Sequence, residues 1–177
     1  MDREVAFFIL KENCMPIVLS RIDDRLIHGQ VVEGWMKVIR VTSIIVVSNE
    51  LARDKMGQAM MSMAVPESVK VESLTIDDTA ARYAVDRFEK ENVMLLFSNP
   101  RDVRILIEKG VKIGSVNIGG MHFSPGKRRV MSTLNVDEED VRNILSIADK
   151  GIELEGRVFP GDEKTNVADI LKQMVAA

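Results

Sequence analysis

Cysteine occurs once in this chain of 177 residues, at Cys14. A single thiol forms no intrachain disulfide and no cysteine-rich zinc site, and it fits a reducing cytoplasm. Histidine occurs twice, at His28 and His122, at a spacing that matches no metal-ligand set, so neither a metal nor a cofactor is expected. No apolar run approaches the roughly 20 residues that span a bilayer, which argues against direct membrane insertion. Charge of neither sign dominates. A formal net charge of -3 gives no reason to expect nucleic acid or anionic lipid as a partner. Internal repeats, low-complexity tracts and an interdomain linker are also missing.

What remains is a chain that is 46% hydrophobic and 29% charged, the composition of a folded globular domain of sufficient length to bury a core. It opens "MDREVAFFILKENCMP", with an apolar patch from Val5 to Leu10. Acidic residues precede that patch and no small-residue cleavage site follows, so a signal peptide is not expected. Residues 1–15 are read as an N-terminal extension, either an extra edge strand or a start-site artefact with Met15 as an alternative initiator. The domain is expected over 16–177.

Short β-branched runs alternate with amphipathic helical patterns. Strands are expected at "PIVLS" (16–20), "SIIVVS" (43–48), "VKVESL" (69–74), "VMLLFS" (93–98), "IGSVNIGG" (113–120) and "IELEGRVFP" (152–160). The run at 93–98 is the most apolar and is placed centrally. Helices are expected at 29–39, 50–64, from the Thr75 cap to about Glu91, from the Asn99–Pro100 start to Gly110, at 137–151 and at 165–176. Residues 122–132 read as a turn with a short extended piece. This alternation implies an α/β fold: a single-domain, doubly wound, mostly parallel sheet of about six to seven strands with helices on both faces. Ligands bind beyond the carboxyl ends of such strands, so the loops at 20–28, 48–50, 74–77, 98–100 and 119–128 are expected to share one face.

The first of these loops carries the most chemistry. Ser20, Arg21, Asp23, Asp24 and Arg25 precede His28 and Gly29, where the first helix starts. A helix N-terminus presents unpaired N–H groups to an anion, glycine lets backbone come close, and arginines fork onto phosphate oxygens. An imidazole in such a cradle is a candidate nucleophile, with Asp23 or Asp24 binding one ring N–H. Phosphoryl transfer needs positioning and charge neutralisation, which these groups supply without a metal. No Walker A motif and no GxGxxG loop follows the first strand, which implies a donor other than ATP. The alternative is structural: aspartates paired with arginines, and a histidine near a helix cap.

"RIDDRLIHGQVVEGW" (21–35) resembles the active-site segment of the IIB component of mannose/fructose/sorbose-type bacterial sugar phosphotransferase systems (PTS). "VNIGGMHFSPGKRR" (116–129) is similar to that family's Asn-hydrophobic-Gly-Gly segment, and "NVDEED" (135–140) opens a third, looser match. The likeness runs from about Ile17 to Leu171. It implies a cytoplasmic phosphocarrier, peripherally associated with a membrane transporter. Such a protein accepts a phosphoryl group from phosphohistidine on a IIA component and passes it to a sugar entering through membrane IIC and IID components. By the same resemblance His28 is phosphorylated, on Nδ1. Arg21 and Arg25 stabilise the phosphoryl group, and Asp23 or Asp24 orients the loop. Gly29, Gln30, Gly119 and Gly120 belong to the phosphoryl-binding set. A regulatory or binding protein of the same fold is the second functional reading.

Other residues have two readings each. His122 either lines the site or makes local loop hydrogen bonds. Lys127, Arg128 and Arg129 form either a docking surface for an acidic partner or a solvated run. Met56, Met60, Met61 and Met63 are assigned to core packing, with a flexible partner surface as the second reading, and Trp35 is assigned to the core. Ser98 and Asn99 either donate to an anion or cap the next helix.

Overall fold

A computed structural model describes residues 16–176; the expected N-terminal extension and Cys14 lie outside the described residues. Nine strands appear among these residues: β1 (Ile17–Asp23), β2 (Ser43–Val47), β3 (Lys70–Leu74), β4 (Val93–Phe97), β5 (Ser115–Gly120), β6 (Arg128–Met131), β7 (Leu134–Val136), β8 (Glu153–Gly156) and β9 (Thr165–Asn166). Seven form one sheet in the order β3-β2-β4-β1-β5-β8-β9, and β6 and β7 form a separate antiparallel pair. All pairings in the large sheet are parallel except β8 with β9. The first helix, α1, has wide π-type turns over Gln30–Trp35 and continues as Met36–Val38. It is followed by α2 (Lys55–Met63), α3 (Ile76–Asp86), α4 (Pro100–Glu108), α5 (Glu138–Ala148) and α6 (Val167–Ala176).

Alternation along the strands sorts the core into two layers. On β4, Val93, Leu95 and Phe97 face a large cluster that includes Tyr83 of α3, Leu106 of α4, Ile144 of α5 and Leu171 of α6. Met94 and Leu96 face a smaller cluster with Val31 and Trp35 of α1, against which Met61 of α2 packs. Each fully buried apolar side chain contributes about 1.5–3 kcal/mol, so the doubly covered β4 binds both layers together. The all-buried β4 lies inside the sheet, as its composition requires.

Several boundaries differ from the sequence reading. β1 runs on to Asp23 instead of ending at Ser20, so Ser20, Arg21 and Asp23 are strand residues and not loop residues. A 3₁₀ turn at Leu51–Arg53 precedes α2, which starts late because the Asp54 carboxylate accepts from the N–H groups of Met56 (3.0 Å) and Gly57 (3.1 Å). α3 stops at Asp86, well short of Glu91. Arg87 and Phe88 take left-handed φ of 53° and 58°, which turns the Phe88 ring inward to sit edge-on to Tyr83 at 5.4 Å. The methionines are not core: Met56, Met60 and Met63 are exposed, and Met61 alone of the four is partly buried against the core.

Candidate functional site

The end of β1 sets the site. Ile22 points into the larger core layer, so Arg21 and Asp23, two residues apart, both point to the α1 side. Both are fully buried. Arg21 lies across from Asn117 on the neighbouring β5. Its Nη2 donates to Asp23 Oδ2 at 2.8 Å. Its Nη1 donates to Asn117 Oδ1 and to the Arg157 carbonyl, the latter at 3.3 Å. A Cβ on Gly119 would overlap this guanidinium, so glycine is required there to make room. The Trp35 ring of α1 lies over the same group, 5.5 Å from Arg21 Cζ and 5.0 Å from Arg157 Cζ, close enough for cation–π attraction. Its indole N–H donates to the Val158 carbonyl at 2.9 Å. Trp35 is therefore buried, as read from sequence, but its neighbours are charged as well as apolar. Burial pushes the Arg21 pKa down, and the Asp23 carboxylate opposes that shift.

Asp23 passes this order outward. Its Oδ1 accepts from the backbone N–H of Arg25 at 3.2 Å and from Arg25 Nε at 3.3 Å. Arg25, whose side chain is 39% exposed, donates from Nη2 to Gln30 Oε1 at 2.6 Å. That same oxygen lies 3.2 Å from His28 Nε2, and Asp23 Oδ2 lies 3.6 Å from it. On the other side of the ring, His28 Nδ1 is 2.9 Å from the carbonyl oxygen of Leu26. Leu26 holds a left-handed φ of 54°, and its N–H closes the turn on the Asp23 carbonyl at 2.9 Å. The His28 carbonyl accepts the first bonds of α1, from Val31 and Val32. His28 thus stands at the helix start, partly buried, with an oxygen facing each ring nitrogen.

The sequence left open which of Asp23 and Asp24 faces His28; Asp23 is the one that lies beside the ring. Asp24 turns to β5. Its Oδ2 accepts from the His122 N–H at 2.6 Å and its Oδ1 meets His122 Nδ1 at 2.6 Å, while its own N–H donates to the Gly120 carbonyl at 3.2 Å. His122 therefore ties the first loop to the end of β5. Of the two arginines expected to meet a phosphoryl group, Arg21 is fully buried and only Arg25 reaches the surface. A Cβ on Gly120 would meet only ordinary contacts at 3.7 Å, and one on Gly29 would meet nothing within 4 Å. Lys127 pairs with Asp140 at 2.8 Å and Asn99 caps α4 by accepting from the Asp102 N–H at 2.9 Å. Arg128 and Arg129 are exposed.

Three participants were not anticipated: Asn117, Glu155 and Arg157. Asn117 Nδ2 donates to the Arg157 carbonyl at 3.1 Å, and Arg157 Nε donates to Glu155 Oε1 at 3.0 Å. For Asn117 and Glu155 the signal was present in "SVNIGG" and "IELEG", where polar residues occupy alternate positions of interior strands, and Arg157 follows directly after β8. Among the described residues no group of three or more His, Cys, Asp or Glu side chains is placed to hold a metal ion, and no helix is long and apolar enough to cross a membrane.

Comparison with known proteins gives this loop a context. A family model described as the PTS system sorbose subfamily IIB component matches residues 17–176. The chain is 39% identical over 160 residues to the fructose-specific EIIB component of Bacillus subtilis, covering 90% of this chain and 98% of that protein. It is 42% identical over 160 residues to the mannose-specific EIIAB component of Escherichia coli, covering 90% of this chain but spanning only half of that longer protein. Among solved structures, the IIB domain of the sorbose permease from Klebsiella pneumoniae superposes with a TM-score of 0.84 at 34% identity, covering 89% of this chain and 96% of the other. The expectation raised by "RIDDRLIHGQVVEGW" and "VNIGGMHFSPGKRR" thus holds along nearly the whole length, and the chain belongs to the sorbose subfamily of phosphotransferase-system IIB components.

Proposed function

We propose that this IIB phosphocarrier holds its phosphoryl group on Nδ1 of His28, receives it from phosphohistidine on a IIA component, and delivers it to a sugar through membrane IIC and IID components. The carrying observation is the placement of His28 at the start of α1, with Arg25, Gln30 and the ionic Asp23 around the ring. In the reactive tautomer the proton sits on Nε2, facing Gln30 Oε1. Nδ1 lies 2.9 Å from the Leu26 carbonyl, so attack from Nδ1 requires the ring to turn from that oxygen toward the open side left by Gly29. Nδ1 forms a bond to phosphorus as the P–N bond to the donor imidazole breaks. The negative oxygens are met by the Arg25 guanidinium and by backbone N–H groups of the first turn, at Gly29 and Gln30. The hydroxyl oxygen of the sugar later forms a bond to the same phosphorus as the P–Nδ1 bond breaks, its proton passes to water, and His28 is restored. The mannose-specific relative carries A and B units in one chain, which supports a IIA partner. Peripheral, cytoplasmic association with the transporter follows from that role. No observation favours the regulatory reading.

The test is mass spectrometry of the chain after incubation with phosphorylated IIA. Acid-labile phosphate is expected on His28. His28→Ala is expected to abolish labelling while keeping the wild-type melting profile; labelling of that variant at the wild-type level refutes the assignment.

A further inference from the structure

We infer that Arg21 is a positioning residue for the transfer, acting through Asp23 and never touching the phosphoryl group. The inference rests on the reading of His28 as the phosphorylated residue. Arg21 and Asp23 are both 0% exposed in their side chains, so no phosphoryl oxygen reaches the Arg21 guanidinium from outside. Its two terminal nitrogens are committed, Nη2 to Asp23 and Nη1 to Asn117 and the Arg157 carbonyl. The group sits in the slot that Gly119 leaves open, under the Trp35 ring.

The value of this arrangement is in its charges. Asp23 touches two arginines, Arg21 through Oδ2 and Arg25 through Oδ1. Arg21 neutralises the carboxylate from below. Arg25 is then held in place by Asp23 while the three side chains together keep one net positive charge for an incoming anion. Without Arg21, Arg25 becomes the counter-ion of a buried carboxylate and is drawn inward, away from the face on which His28 must meet its donor. Asp23 also lies 3.6 Å from His28 Nε2, so its displacement changes the surroundings of the ring before any phosphate arrives. A direct phosphoryl ligand would have no such effect on the resting protein.

The experiment compares Arg21→Met, Asp23→Asn and the double variant in the full chain, with phosphorylated IIA as donor. Phosphorylation rate is measured against donor concentration, and the His28 ring resonances are recorded by NMR in the unphosphorylated proteins. Arg21→Met is expected to lower kcat by about 10- to 100-fold, the scale of a small misplacement of reacting groups, with KM changed less than about threefold. The double variant is expected to be no slower than Arg21→Met, and the ring resonances are expected to shift in the resting single variant. Slowing that multiplies in the double variant, or ring resonances unmoved in resting Arg21→Met, overturns the inference. Should Arg21→Met not fold, Arg21→Gln gives the same readouts, because it removes the charge while keeping a hydrogen-bond donor in the buried slot. His28→Ala run alongside separates the two claims: label retained there refutes the reading of His28, whereas multiplicative effects with His28→Ala unlabelled refute only the role of Arg21.

Discussion

Gly119 and Gly120 are adjacent and were read from the sequence as equivalent, yet their neighbours make them different. A methyl group at 119 collides with a guanidinium that is buried and bonded on both sides, while one at 120 meets only ordinary contacts. Gly119→Ala is therefore expected to cost about 1–3 kcal/mol, the range for overpacking a filled interior, and Gly120→Ala less than about 0.5 kcal/mol. Urea unfolding of the two variants checks the contrast. The cluster of Arg21, Asp23, Arg25, His28 and Gln30 was legible because its members are close in sequence. Which arginine lies inside was not, since that depends on β1 continuing to Asp23. The partner of Asp24 was not legible either: His122 is 98 residues away, and no spacing rule connects them.

Helix starts were readable because their chemistry is local. Thr75 accepts from the Asp78 N–H, Asn99 from the Asp102 N–H, and Asp137 forms a capping box with Asp140. Asp137→Ala is expected to lower stability by about 1 kcal/mol, the usual worth of an N-cap, measured as a shifted urea midpoint. Helix ends were less readable. α3 ends where Phe88 must turn inward to meet Tyr83, a demand of the core and not of the residues at the end. The exposed methionines of α2 show the same limit: periodicity places them on a helix but does not say how deeply that helix is buried.

Across the whole molecule, parallel order followed from the alternation of elements, whereas strand order did not, because it is set by contacts distant in sequence. β1 lies in the middle of the sheet, with β4 on one side and β5 on the other. The chain leaves β1 toward β2 and later returns past it to β5, which opens a crevice at the end of β1 where the histidine loop sits. Charge pairs brace the sheet at both flanks. Burial pushes the Glu72 pKa up, but hydrogen bonds from Lys70 and Arg82 outweigh it, and the net shift is downward. A carboxylate with a depressed folded pKa stabilises the fold above its unfolded value, and that stability is lost as pH falls through the folded value. Glu72→Gln is thus expected to be less stable than wild type at neutral pH and to approach it in acid; urea midpoints across that range measure the convergence. The Arg157 carbonyl that anchors Arg21 is contributed 136 residues later in the chain. During synthesis Arg21 and His28 therefore leave the ribosome well before Arg157 does, so the buried end of β1 is completed only after residue 157 has emerged.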